Sequence, residues 1–160
     1  MRSIRWTVWA IAPFLGLISV TVPGNAQHSQ AEKQASQSVP GQRTPAPADA
    51  FVYIGAPRDG QVLKPGRIKV WFGARNIGVA PAGVTVANTG HHHLLINVPV
   101  PPLNEPIPNS KSHLHFGAGQ TETYIDLPEG TYTLQLIMGD ADHVPHDPPV
   151  TSKTIKIRVR

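Results

Sequence analysis

The chain has 160 residues with 14 Lys and Arg against 10 Asp and Glu, a formal charge of +4, and it contains 17 Pro, 14 Gly, 8 His and no Cys. Zero cysteine excludes disulfide staples, thiolate zinc sites, iron–sulfur clusters, cysteine nucleophiles and a bacterial lipoprotein anchor, which is built on a Cys at its cleavage point. The basic isoelectric point, about 9.7, does not indicate nucleic acid, because from residue 51 onward ten bases face eight acids for a net +2, with no basic run longer than two residues and no aromatic interleaving.

Residues 1–26 read as a secretory signal peptide. Arg2 and Arg5 precede a mostly apolar stretch, 6–22, and Gly24, Asn25 and Ala26 supply small residues before a cut at Gln27. The competing reading is an uncleaved anchor, but the apolar stretch is interrupted by Pro13 and lies at the short limit for crossing a bilayer. The mature protein is therefore expected to be exported, with no membrane span after cleavage. Residues 27–50 are rich in Gln, Ser, Ala and Pro, with Val39 as the sizeable apolar residue. Such a stretch buries too little apolar area to offset its ordering entropy, so a flexible tether is expected there.

Residues 51–160 form the predicted domain. Short β-type runs punctuated by Pro and Gly are expected at 51–54, 61–63, 67–75, 91–98, 113–116, 121–127, 131–138 and 153–159. Apolar residues do not recur at helical spacing over ten or more residues without an intervening Pro or Gly, so the domain is read as all-β. Alternation assigns the faces: Ile68, Val70 and Phe72 oppose Lys69 and Trp71; Tyr132, Leu134, Leu136 and Met138 oppose Thr131, Thr133 and Gln135; Ile155, Ile157 and Val159 oppose Lys156 and Arg158. Seven or eight half-buried strands suit an immunoglobulin-like antiparallel β-sandwich of Greek-key type, with a cupredoxin-like barrel as the alternative. The stretch from Leu127 through Gly130 and Tyr132 resembles a tyrosine corner.

Seven of the eight histidines lie between His91 and His146. Side chains at i and i+2 of a strand share a face roughly 6–7 Å apart, a gap two imidazoles can close onto one metal at about 2.0 Å each. His91 with His93, and His113 with His115, form two such pairs. A third group, Asp140, Asp142, His143, His146 and Asp147, falls in a loop, because Pro145, Pro148 and Pro149 forbid a helix. A lone buried histidine is ordinarily a hydrogen-bonded core residue, and the aspartates could equally serve as its supports. Three grouped clusters in a Cys-free exported chain favour a metal site made of His91, His93, His113, His115, His143 and His146, with Asp140 or Asp142 as a further ligand or orienting group. His92 is the expected exception, since its parity puts it with the core residues.

The metal follows from ligand softness. Without Cys, and with Met138 as the mature chain's single Met, placed by parity in the core, neither a blue-copper centre nor a thioether Cu(I) carrier is expected, and imidazole with carboxylate suits Zn²⁺ or Cu²⁺. Neutral imidazole is the ligand, so affinity should fall below about pH 6.5. Other motifs fail: residues 116–121 carry two glycines but neither a third nor a following helix, and no nucleophile elbow or Walker loop occurs. Ser110 and Ser112 beside His113 are no evidence for a triad, which is assembled in space. Residues 76–90 and 99–110 are expected to be irregular crossovers rather than substrate lids.

The stretches Gly90-His-His-His-Leu-Leu-Ile96, His113-Leu-His-Phe-Gly-Ala-Gly-Gln-Thr-Glu122 and Gly139-Asp140 with His143-Val-Pro-His-Asp-Pro-Pro-Val150 resemble the signature blocks of the bacterial domain-of-unknown-function family 4399. Ala56-Pro-Arg-Asp-Gly60 and the Gly78–Gly83 loop are similar too, and Ala118 stands where the family pattern tends to have a further Gly. The resemblance runs over about 51–160. It implies an exported bacterial protein of one compact domain, periplasmic in a Gram-negative cell, in a family mostly without assigned biochemistry. The leading functional expectation is thus a periplasmic metal-binding module, more a binder than an enzyme. The alternatives are a non-enzymatic sandwich that binds a protein or other envelope component through a structural histidine network, and a metal-dependent hydrolase or oxidase with Glu122 or Asp142 as base.

Overall fold

The structure, a computed structural model, describes residues 43–160; the signal peptide read at 1–26 and the first part of the tether, 27–42, lie outside the described residues. Among the described residues there are nine strands and no helix: β1 (Phe51–Ala56), β2 (Val62–Leu63), β3 (Gly66–Arg75), β4 (Gly78–Val79), β5 (Thr89–Ile96), β6 (His113–His115), β7 (Glu122–Leu127), β8 (Gly130–Gly139) and β9 (Ile155–Val159). All eight expected runs are strands. The addition is β4, whose two residues are too few to show an alternation.

Two sheets result, a three-stranded one in the order β1-β3-β7 and a six-stranded one in the order β2-β9-β8-β5-β4, with β6 also paired to β5. They pack as a β-sandwich and do not close into a barrel, which removes the cupredoxin-like barrel as an alternative. The pairing is mixed rather than wholly antiparallel, because the two-residue strands β2 and β4 lie parallel to β9 and β5. β2 and β9 lie far apart in the chain, whereas β4 and β5 are joined by residues 80–88 alone, shorter than the dozen or so residues a parallel crossover ordinarily takes.

The alternation explains the core. Val52, Val70, Phe72 and Ile125 of the smaller sheet meet Leu94, Leu134, Leu136, Met138 and Ile157 of the larger, each 6% exposed or less. Burial of each large side chain contributes about 1.5–3 kcal/mol against the entropy of ordering the chain. Lys69, Trp71, Lys156 and Arg158, read as outward, are exposed. The Tyr132 hydroxyl donates to the Pro128 carbonyl at 3.0 Å, the contact of a tyrosine corner.

The outer face of the larger sheet is covered as well. Leu95 and Ile137 point away from the sandwich core, yet they are buried with Ile107 in a second cluster joined by Val98, Val100 and Leu103. The Pro-rich connection after β5 therefore folds back over its own strand and makes a roof. Residues 43–50, the end of the compositional tether, pack on the domain: the Ala46 N–H donates to Asp147 O at 3.0 Å, and the Asp147 N–H to Thr44 O at 2.9 Å. Among the described residues no helix is long and apolar enough to cross a membrane.

Candidate metal centre

The site grows from the register of three strands on this roofed face. His91 and His93 alternate outward from β5, and both are fully buried. The β5·β6 pairing sets His115 opposite His93 and His113 opposite Leu95. On the other flank, Gly139 of β8 lies opposite His91. A side chain there would intrude, since a Cβ on Gly139 would sit 3.1 Å from His93 Nε2 and 3.2 Å from the His143 Cα. A Cβ on Gly117 would run into the His115 ring. Two glycines thus leave the space that the imidazoles occupy.

Four rings converge. The centroids of His91 and His93 are 5.0 Å apart, His91 and His115 4.9 Å, and His93 and His115 5.0 Å. His143 lies 4.7 Å from His115, 4.9 Å from His91 and 6.0 Å from His93. One ligand atom from each of His91, His93 and His115 lies within 4.8 Å of the other two. The Nε2 atoms of His91 and His93 are 3.1 Å apart, close to the separation of about 3.3 Å that two tetrahedral Zn–N bonds require.

The hydrogen bonding is incomplete. The Nδ1 atoms of His91 and His93 and the Nε2 of His115 are buried without a partner. Desolvation disfavours the imidazolium: burial, reinforced by repulsion from His143 and His115, lowers the His91 pKa from 6.5 to about 4. Burial and then the neighbouring His91, His115 and His143 lower that of His93 to about 3. His115 is shifted down for the same first reason, with His143 adding to it. These imidazoles are neutral at neutral pH, the form that ligates metal.

The remaining sequence-derived candidates go elsewhere. His113 Nδ1 lies 3.1 Å from Ser110 Oγ. His146 is fully buried with Nε2 3.1 Å from the Thr89 carbonyl. Asp140 organises its loop: Oδ1 accepts the N–H of Asp142 at 3.0 Å and of Val144 at 2.9 Å, while Oδ2 accepts the Thr44 hydroxyl at 2.6 Å. Asp142 is exposed. Glu122 is held by Lys69 at 2.8 Å on the smaller sheet, so it cannot act as base at a site on the outer face of the larger one. His92 points into the core as its parity predicts, its ring 4.9 Å from that of Phe72, with burial lowering its pKa to about 4. Sequence reasoning missed Thr44, and it quoted Gly117 and Gly139 within the family blocks without seeing that they make room for the imidazoles. Gly139, at a strand end beside a His/Asp loop, carried the available signal, since glycine in a strand often marks close approach of another group.

The fold and the cluster together define a histidine-rich β-sandwich in which three strand-borne imidazoles and one loop-borne imidazole meet on a covered sheet face. The chain belongs to the domain-of-unknown-function family DUF4399, whose model matches residues 70–160. That span includes every histidine of the cluster, while the similar stretch at 56–60 precedes it. No curated protein matches the chain.

Proposed function

We propose that this protein is a periplasmic module that binds Zn²⁺ or Cu²⁺ through His91, His93 and His115. The observation that carries the reading is the convergence of one ligand atom from each within 4.8 Å, with the Nε2 atoms of His91 and His93 3.1 Å apart. Lone pairs aimed at one another and kept unprotonated by burial are what a soft-to-borderline divalent ion requires. Cys is absent from the chain, so imidazole supplies the donor strength. Of the carboxylates nominated as base for a hydrolytic role, Glu122 is paired with Lys69 on the smaller sheet, away from the cluster. The periplasmic location rests on the leader-like residues 1–26.

Elemental analysis of the purified protein after incubation with Zn²⁺ or Cu²⁺ and desalting tests the reading. About one equivalent of metal per chain is expected, and the His93→Ala/His115→Ala double variant should lose it. Absence of stoichiometric metal in the wild type, or full retention by the variant, overturns the proposal.

A further inference from the structure

His143 reaches the cluster differently from the other three histidines, because it rides on a loop. Its backbone sits in the left-handed region at φ 70°, which costs a non-glycine residue of order 1 kcal/mol and persists only where neighbours enforce it. Asp140 enforces it from within: Oδ1 accepts the N–H groups on either side of His143, those of Asp142 and Val144, and the Asp140 carbonyl accepts the His143 N–H at 3.0 Å. The His143 carbonyl in turn accepts the Ile107 N–H from the roof at 2.9 Å.

A second clamp comes from the chain just before the domain. The Thr44 hydroxyl donates to the free oxygen of Asp140 at 2.6 Å. Pro45 bridges Asp147 in parallel. Arg43 donates through Nε to the Pro145 carbonyl at 3.0 Å and through Nη2 to the His146 carbonyl, and its Nη1 lies 3.4 Å from the Asp147 carboxylate. Asp140 is 8% exposed with Thr44 docked, so undocking would open its Oδ2 to water and remove the Thr44 and Arg43 bonds that hold the loop.

We infer that His143 is a fourth ligand delivered by the 140–147 loop, and that residues 43–47 are the latch holding this loop over the site, so that metal binding and docking of the latch reinforce one another. The inference rests on the metal-binding reading above. Its content is a coupling between two places in the molecule, and such coupling is reciprocal: if the docked latch tightens metal by some factor, metal tightens the latch by the same factor. Thr44 and Asp140 are positioning residues in this scheme, acting on the metal through His143.

Reciprocity gives a readout independent of affinity. The bond after Arg43 is a trypsin site that opens only when the Arg43 guanidinium leaves the loop. With the full chain, cleavage between Arg43 and Thr44, followed by mass spectrometry, should slow about 10–100-fold on saturation with Zn²⁺, and Thr44→Val should weaken metal binding by a similar factor, the range expected when an orienting group is lost. His143→Ala should abolish the protection by metal, remove one imidazole from the nitrogen couplings in the Cu²⁺ electron paramagnetic resonance spectrum, and leave the metal-free melting temperature near that of the wild type. A wild-type protein that binds metal while cleavage after Arg43 proceeds at the same rate with and without it refutes the latch; unchanged nitrogen couplings in His143→Ala refute the fourth ligand. A wild type that takes up no metal overturns the underlying reading instead.

Discussion

Acidification of the metal-free protein from about pH 7 to about pH 5.5 should remove about 3–4 kcal/mol of folding stability. His91, His92 and His93 are fully buried, and burial lowers their pKa values from 6.5 to about 4, about 4 and about 3. The unfolded chain, with ordinary imidazoles, therefore takes up protons that the native state refuses, and stability falls as pH falls. The contribution is intact above about pH 6.5 and is lost progressively down to about pH 4, or about pH 3 for His93. At about pH 5.5 an unfolded imidazole is about nine-tenths protonated while the native ones stay neutral, so each loses roughly 1 kcal/mol relative to pH 7. Mutual repulsion between native imidazoliums does not enter in this window, because none has formed. Against a typical total of about 5–15 kcal/mol the loss is large. Urea unfolding in chelator at the two pH values reads it directly: with a slope of about 2 kcal/mol per molar, the midpoint should drop by roughly 1.5–2 M. His92→Leu, which replaces one of the three in a site already lined by Phe72, should reduce the drop by about a third. A midpoint that stays level or rises in acid refutes the claim that these rings are buried in neutral form.

Two substitutions test neighbouring parts of the structure. Gly117→Ala places a methyl in the space of the His115 ring, so metal affinity should fall about tenfold or more while metal-free stability changes by under about 1 kcal/mol, since a side chain can swing aside; calorimetric titration beside a thermal melt separates the two, and wild-type affinity would show that His115 is misplaced. Tyr132→Phe removes the hydroxyl that caps the Pro128 carbonyl and should cost about 1 kcal/mol in urea unfolding without altering metal uptake; equal stability would mean the corner bond contributes nothing.

Much of the fold was legible because its information is local. Alternation in β3, β8 and β9 separates Val70, Leu134 and Ile157 from Lys69, Thr131 and Lys156 within a few residues, and those assignments hold. The histidine pairs were legible for the same reason: His91 shares a face with His93, and His113 with His115. What alternation cannot supply is register between strands. Pairing His115 with His93 brings one imidazole to the cluster and leaves its pair-mate, His113, beside Leu95, and no residue within β6 encodes that choice. The loop is a sharper case. His143 and His146 are three positions apart and look equivalent in sequence, yet the left-handed turn at His143 and the bonds to Asp140 send one ring to the cluster and the other to the Thr89 carbonyl.

The feature hardest to foresee is also the one that gives the site its chemistry. In a plain two-layer sandwich the outward residues of β5 would be solvated, and His91 and His93 would titrate as ordinary imidazoles. Here five consecutive residues of β5, His91 to Leu95, are all buried, so the strand is covered on both faces as central strands of three-layer proteins are. One layer is the smaller sheet; the other consists of Ile107 and its Pro-rich segment together with the loop bearing His143. The compositional trace of this is the run His-His-His-Leu-Leu-Ile, which has no exposed polar partner in its alternation. Read as a one-sided strand, it is two ligands and a core; read as a two-sided strand, it requires a roof. The roof lowers the dielectric around His91 and His93 and disfavours their protonation. The covered face thereby gathers uncharged imidazoles of His91, His93 and His115 with one nitrogen of each within 4.8 Å of the others, the arrangement on which the metal-binding proposal rests.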